Sequence, residues 1–157
     1  MRAEYHFYAF ITVVLFLKMA ANSAVQGRAR LNSNTFVIPE DARFFAGTEP
    51  AKEEVPLVRR AAAVWRNDLE NIPIFLFLAL VYVSLGCWAT GAFVYFSIFA
   101  LARIVHTVLY FRALQPWRTI SFAIGLAVCF ALSVHILIAV FSDQPISILA
   151  IQGAPVY

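Results

Sequence analysis

Four long apolar runs, each closed by a polar break, decide what this 157-residue chain can fold into. They cover about residues 5–25, 58–85, 90–113 and 116–141. A spanning helix needs roughly 20 mostly apolar residues, so each run is long enough to cross a bilayer. With 62% apolar and 13% charged residues and a mean hydropathy of +0.77, the chain lies outside soluble globular usage. The expected fold class is all-α: a polytopic membrane protein, a four-transmembrane-helix bundle, forming one domain over residues 1–157. A cleaved signal peptide competes for the first run, because Arg2 precedes it and Ser23 and Ala24 are small. Lys18 interrupts the run and Glu4 precedes it, so a retained helix is expected, with Lys18 facing the bundle or reaching an interface.

Between the first two runs, residues 26–57 contain Pro39, Gly47, Pro50 and Pro56 together with much of the charge, which no span accommodates. This is a loop long enough to be functional, and Phe36, Phe44 and Phe45 predict that it packs on the helix ends. The second helix starts in water and carries Asn67, Asp68 and Glu70 inward before Pro73, where a bend is expected. Pro116 suits the first turn of the fourth helix, and the tail 142–157 is left unassigned. The net charge of +3 comes from Lys and Arg scattered around membrane edges with no basic tract, so no nucleic-acid partner is expected. Cys87, Cys129 and His135 are expected in the core, and the aromatic run Phe75, Phe77, Tyr82 is expected either to face lipid or to pack in the core. His106 lacks His or Cys partners at ligand spacing, so no metal is expected.

Ionisable groups within spans are costly and mark functional candidates, with structural ion pairing as the competing explanation. Arg60, Asn67 and Glu70 share one helix face, and Arg103, His106 and Tyr110 another. A Glu70 pair with Arg103 or Arg66 would satisfy the structural explanation alone.

Four stretches turn this balance. Trp65-Arg66-Asn67-Asp68-Leu69-Glu70-Asn71-Ile72 resembles the H-x-N-D-x-E-N-I signature of the MAPEG family. Phe36-Val37-Ile38-Pro39-Glu40-Asp41 is similar to that family's F-A-N-P-E-D. Ala102 to Tyr110 resembles its A-R-x-x-H-T-x-x-Y, and Gln115-Pro116-Trp117-Arg118 its Q-P-x-R. The four occur in the family's order and on the expected elements. The resemblance implies a homotrimer of four-helix subunits in the lipid bilayer, with glutathione as cosubstrate held between protomers near the cytoplasmic face. Arg30, Arg66, Asn67, Glu70, Arg103, His106 and Tyr110 would then contact glutathione. Arg118 would sit beside its sulfur, and Asp41 and Thr119 would assist catalysis. Departures from the family pattern are Ala62 and Ala63 at arginine positions, Trp65 for histidine, Ile38 for asparagine and Phe122 for tyrosine.

Glutathione carries two carboxylates and one ammonium, which guanidinium forks and a carboxylate such as Glu70 complement. A nearby cation such as Arg118 favours its thiolate. The implied activity is that of an integral membrane glutathione transferase, with glutathione peroxidase activity beside it, acting on a lipophilic small-molecule substrate. The alternatives are a non-enzymatic lipid-binding accessory protein and a glutathione-dependent isomerase of an oxidised lipid. The bacterial inner membrane is the expected location, ahead of the endoplasmic reticulum, because the tail shows no recognisable retention signal.

Orientation follows from the basic residues. The first loop holds Arg28, Arg30, Arg43, Lys52, Arg59 and Arg60, and the last turn Arg112 and Arg118. The middle turn holds none, so the first loop faces the cytoplasm and the termini face away. Cysteines introduced at Thr48 and Gln152 should label with an impermeant reagent from opposite sides; labelling of both from one side would refute this topology.

Overall fold

The computed structural model describes residues 3–142, and the tail position Gln152 and the rest of residues 143–157 lie outside them. Along the chain run α1 (Ala3–Ser33), a single turn α2 (Pro39–Asp41) that continues into a π-helical turn (Ala42–Ala46), α3 (Pro56–Ser84), α4 (Ala89–Phe111) and α5 (Trp117–Ser142). No strand occurs among the described residues. The helices α1, α3, α4 and α5 are long and apolar enough to cross a membrane, and the chain is an integral multi-pass membrane protein. Their outer faces agree: Phe10, Phe16, Phe77, Leu101, Phe130 and Phe141 are all more than half exposed, as side chains meeting acyl chains rather than water must be.

At 31 residues α1 is about 46 Å long, against a hydrocarbon core of roughly 30 Å. It therefore runs on through Gln26 to Ser33, the first eight residues of the loop expected from sequence. Polarity marks where a helix leaves the bilayer, and nothing between Gln26 and Ser33 obliges it to stop. It ends where Asn34 turns left-handed (φ 49) and Thr35 N–H donates to the Arg30 carbonyl at 3.2 Å. The same arrangement closes α3, with Gly86 at φ 67 and Cys87 N–H on the Tyr82 carbonyl. It closes α4 as well, with Ala113 at φ 56 and Leu114 N–H on the Leu109 carbonyl. Pro73 lies inside α3 without ending it.

The core is built from Leu15 of α1, Phe75, Ala79 and Tyr82 of α3, Phe96 and Phe99 of α4, and Val128 and Leu132 of α5. Phe75 and Phe99 stack at 3.8 Å between ring centroids. Of the aromatic run, Phe75 and Tyr82 are core, whereas Phe77 is 72% exposed. His135 sits in an aromatic cluster at the end of the bundle near the α3–α4 turn, with Tyr82 Oη at 3.5 Å and Tyr95 Oη at 3.4 Å from its ring nitrogens. Cys87 and Cys129 pack against the core edge. In the loop Phe36 is buried and stacks on Phe45, but Phe44 is 82% exposed.

Helices α1 and α3 are antiparallel and are tied along their length by polar contacts. Tyr5 Oη donates to Ser84 Oγ at 3.4 Å near one end, and Asn22 Nδ2 to the Ala61 carbonyl at 2.9 Å near the other. Between them Lys18 Nζ pairs with Asp68 Oδ2, their side chains 8% and 0% exposed. Lys18 thus faces the bundle. Asp68 is also within electrostatic reach of Arg103. Removing one partner of a buried pair typically costs about 3–5 kcal/mol, because the other charge is left uncompensated. Asp68→Ala should accordingly lower the melting temperature in detergent by roughly 10 °C, and Lys18→Met with Asp68→Leu should recover much of it. Equal melting of Asp68→Ala and the parent chain would show that the pair holds nothing together.

Candidate functional site

The polar residues gather at one end of the bundle, where the start of α3, the end of α4 and the start of α5 meet. Two adjoining hollows there share Asn67 and Tyr110. The larger, about 480 Å³, is lined by Arg59, Ala62, Ala63, Arg66, Asn67, Glu70 and Tyr110. The smaller, about 280 Å³, is lined by Asn67, His106, Tyr110, Arg118, Thr119 and Phe122. An apolar groove of about 450 Å³ between α1 and α3, with Phe16, Leu76 and Phe77 in its wall, holds no charged group and belongs to the lipid-facing surface.

Asn67 links the hollows to the interior. Arg103 is completely buried, and its Nη1 donates to Asn67 Oδ1 at 2.7 Å. With its oxygen taken, the Asn67 amide has its two N–H donors left for the cleft. The guanidinium lies between the rings of Phe99 and Phe122, at 5.7 and 5.6 Å from their centroids. On α5, Gly125 packs against it: a Cβ there would stand 3.4 Å from Arg103 Nε and Nη2, in van der Waals contact. These two nitrogens and His106 Nδ1 are buried without a hydrogen-bond partner, so polar groups remain to be satisfied beneath the cleft.

Arg118 is held from two sides. Its guanidinium carbon stands 4.5 Å over the Tyr110 ring, a cation–π distance. Oriented to suit its neighbours, the Gln115 amide accepts from Arg118 Nε at 3.1 Å and donates to Thr119 Oγ1 at 3.1 Å. A half-buried cation and an exposed hydroxyl thus face one hollow. The larger hollow sets Arg59 and Arg66 against one carboxylate, Glu70, so the cleft carries net positive charge and suits an anionic ligand with one cationic group.

The sequence model of the MAPEG family matches residues 8–138. The chain belongs to the MAPEG family. Among its relatives, the prostaglandin E synthase of Macaca fascicularis is 35% identical over 127 residues, 80% of this chain and 83% of that protein. The Homo sapiens prostaglandin E synthase is 33% identical over 127 residues, with the same coverage of 80% and 83%. Microsomal glutathione S-transferase 1 of Rattus norvegicus is 37% identical over 138 residues, 83% of this chain and 86% of that protein.

Of the residues singled out by resemblance to this MAPEG pattern, Arg66, Asn67, Glu70, His106, Tyr110, Arg118 and Thr119 line the two hollows. Three stand elsewhere. Arg103 lies beneath the cleft, reaching it through Asn67. Arg30, at the end of α1, donates from Nε and Nη2 to Glu54 Oε1 at 2.9 and 2.7 Å. Asp41 is half-buried in the first loop and is not among the residues lining either hollow. The pairing of Glu70 with Arg103 does not form: Arg103 bonds Asn67, and the carboxylate turned into the bundle is Asp68. Two positions along a helix are about 200° apart, so Asp68 and Glu70 cannot both face inward. Two contributors went unassigned in the sequence. Gln115 was visible only as part of Q-P-x-R, and Asp68 only as part of N-D-x-E-N. The i to i+3 spacing from Gln115 to Arg118 was the available signal for the first, and the lone Lys18 on the neighbouring helix for the second.

Proposed function

We propose that this chain is an integral membrane glutathione transferase that joins the glutathione thiolate to lipophilic electrophiles, with glutathione peroxidase activity beside it. The observation that carries this reading is Arg118, fixed by Tyr110 and Gln115 at the wall of a hollow that it shares with Asn67 and Thr119. A free thiol of the cysteine type titrates near pH 8.5, and a fixed guanidinium beside the sulfur favours the anion, which is the nucleophile. The cleft suits the rest of the molecule: Arg66 for a carboxylate, Glu70 for the ammonium, and the Asn67 amide for the peptide backbone. In keeping with this, one relative bears the name microsomal glutathione S-transferase 1.

A second reading, isomerisation of an oxidised lipid with glutathione as cofactor, draws on the relatives named prostaglandin E synthase and on the Thr119 hydroxyl at the same hollow. In the transferase reading the functional unit is a homotrimer with sites between protomers, because the cleft that holds Arg66, Asn67 and Glu70 is open on one protomer and calls for further cover. Native mass spectrometry in mild detergent should give three subunits, and an active monomer would rule out a site between protomers.

Binding and ionisation separate in two variants. Arg118→Ala should leave glutathione affinity within about a few-fold and cut conjugation of a chlorinated aromatic electrophile by roughly tenfold to a thousandfold, at about 1.4 kcal/mol per pKa unit of lost thiolate stabilisation. The thiolate absorbance of the bound cosubstrate should fall with it. Glu70→Ala should weaken glutathione binding while leaving the ionisation of bound thiol nearly unchanged. Wild-type turnover by Arg118→Ala, with an unchanged thiol titration, contradicts this mechanism. Isomerisation of an oxidised lipid without any conjugation would establish the second reading instead.

A further inference from the structure

One wall of the larger hollow is a single face of α3, on which Arg59, Ala63, Arg66 and Glu70 follow one another at helical spacing. Glu70 and Arg59 stand at its two ends, eleven positions and so about 16 Å of helix apart. The hollow with Arg118 opens beside the middle of this face, at Asn67 and Tyr110. Three α-linked residues span about 11 Å, the γ-glutamyl link of glutathione adds to this, and the long Arg59 side chain closes the difference. Ala62 and Ala63 put only methyl groups between Arg59 and Arg66, which keeps this path open.

Arg59 is at present engaged by the first loop: its Nη1 lies 3.2 Å from Glu53 Oε2, with side chains 58% and 75% exposed. An exposed pair of this kind is worth at most about 1 kcal/mol. Its neighbour Arg60 donates to the Phe111 carbonyl at 3.3 Å and shares a smaller hollow with Arg59, Ala63 and Tyr110. Arg66 stands one turn from the oppositely charged Glu70 on the same face. Of the two cations lining the cleft, Arg59 is thus the one that stands further from Glu70, and its present partner is a weak, solvent-exposed carboxylate.

We propose that Arg59 is a specificity-determining binding residue that takes the glycyl carboxylate of glutathione, exchanging Glu53 for it. The assignment rests on the glutathione reading given above. Cosubstrate bound with its ammonium at Glu70 and its thiol at Arg118 brings its far carboxylate to Arg59 as part of the same molecule, so it competes with Glu53 at high effective concentration. A guanidinium fork on a carboxylate partly sheltered by the cleft is the stronger of the two bonds. Glu53, already mostly in water, loses little on release.

Calorimetric titration of the full chain in detergent with glutathione and with its glycyl monoethyl ester, which lacks that carboxylate, tests the exchange. Arg59→Ala is expected to weaken glutathione about tenfold, the scale of one charge-assisted hydrogen bond, and to change the ester less than about twofold. Glu53→Gln is expected to tighten glutathione by about twofold to fivefold, because it removes the competitor. An Arg59→Ala chain that binds glutathione like its parent, or loses both ligands alike, overturns the role of Arg59 and leaves the transferase reading standing. A parent chain that takes up neither ligand overturns that reading and the assignment with it.

Discussion

A lysine and an aspartate buried inside an apolar bundle have to meet, and the contact between Lys18 and Asp68 fixes how α1 and α3 sit against each other. It also fixes the rotation of α3. At about 100° per residue, turning Asp68 into the bundle places Arg59, Ala63, Arg66 and Glu70 on the opposite side, within roughly 60° of one another. That side is the wall of the larger hollow. Asn67, one position from Asp68, falls on the flank that faces α4 and meets Arg103 there. One buried pair therefore sorts the polar residues of α3 into an inward anchor, a lateral link and an outward face that lines the larger hollow.

The two ends of the bundle are held by different chemistry. Near the α3–α4 turn, aromatic rings and His135 pack with hydroxyl contacts, and Gly91 lies so close that a Cβ would stand 2.5 Å from Tyr82 Oη. At the other end, charged and amide groups are linked across helices and some remain unpartnered. Between α4 and α5 the chain reverses over the few residues from Phe111 to Trp117, and Ala113 adopts a left-handed conformation that costs an L-residue about 1–2 kcal/mol. That turn brings Arg118 back over Tyr110, seven positions after it has left α4. Strain at a position that sets the geometry of a candidate site is where a fold tolerates it.

Most of this architecture was legible in the sequence because hydropathy reports where a chain lies in the bilayer. The four spans and their order follow from apolar runs alone. For the same reason α1 extends eight residues past the end of its apolar run: hydropathy says where a helix meets water, whereas hydrogen-bond closure at Asn34 and Thr35 says where it stops. At the site, helical spacing put Asn67 with Glu70 and His106 with Tyr110. Nothing in spacing could separate Asp68 from Glu70 until a partner on α1 was chosen. The fate of Arg30 was equally hidden, since its partner Glu54 lies in a loop without periodicity. Gln115 was obscured because its role, orienting a cation, depends on the fold of the turn rather than on any property of an isolated amide.

Position in the bilayer gives this arrangement its chemical sense. The cleft lies at the polar end of the spans, where a water-soluble anion can enter without crossing the apolar layer. The smaller hollow also has Phe122 in its wall and adjoins α5, whose Ile120, Ile124 and Leu126 are exposed to the surroundings. If the cosubstrate is glutathione, its charged parts stay with Arg59, Arg66 and Glu70, and its sulfur meets Arg118 at the boundary with that apolar surface. In the same reading a lipophilic electrophile dissolved in the membrane would reach that boundary from the other side. The fixed cation is then most useful where water is scarce, since the attraction between guanidinium and thiolate grows as the local dielectric falls. Under that reading the steep polarity gradient at a helix end would both concentrate two unlike reactants and strengthen the charge interaction between Arg118 and the thiolate.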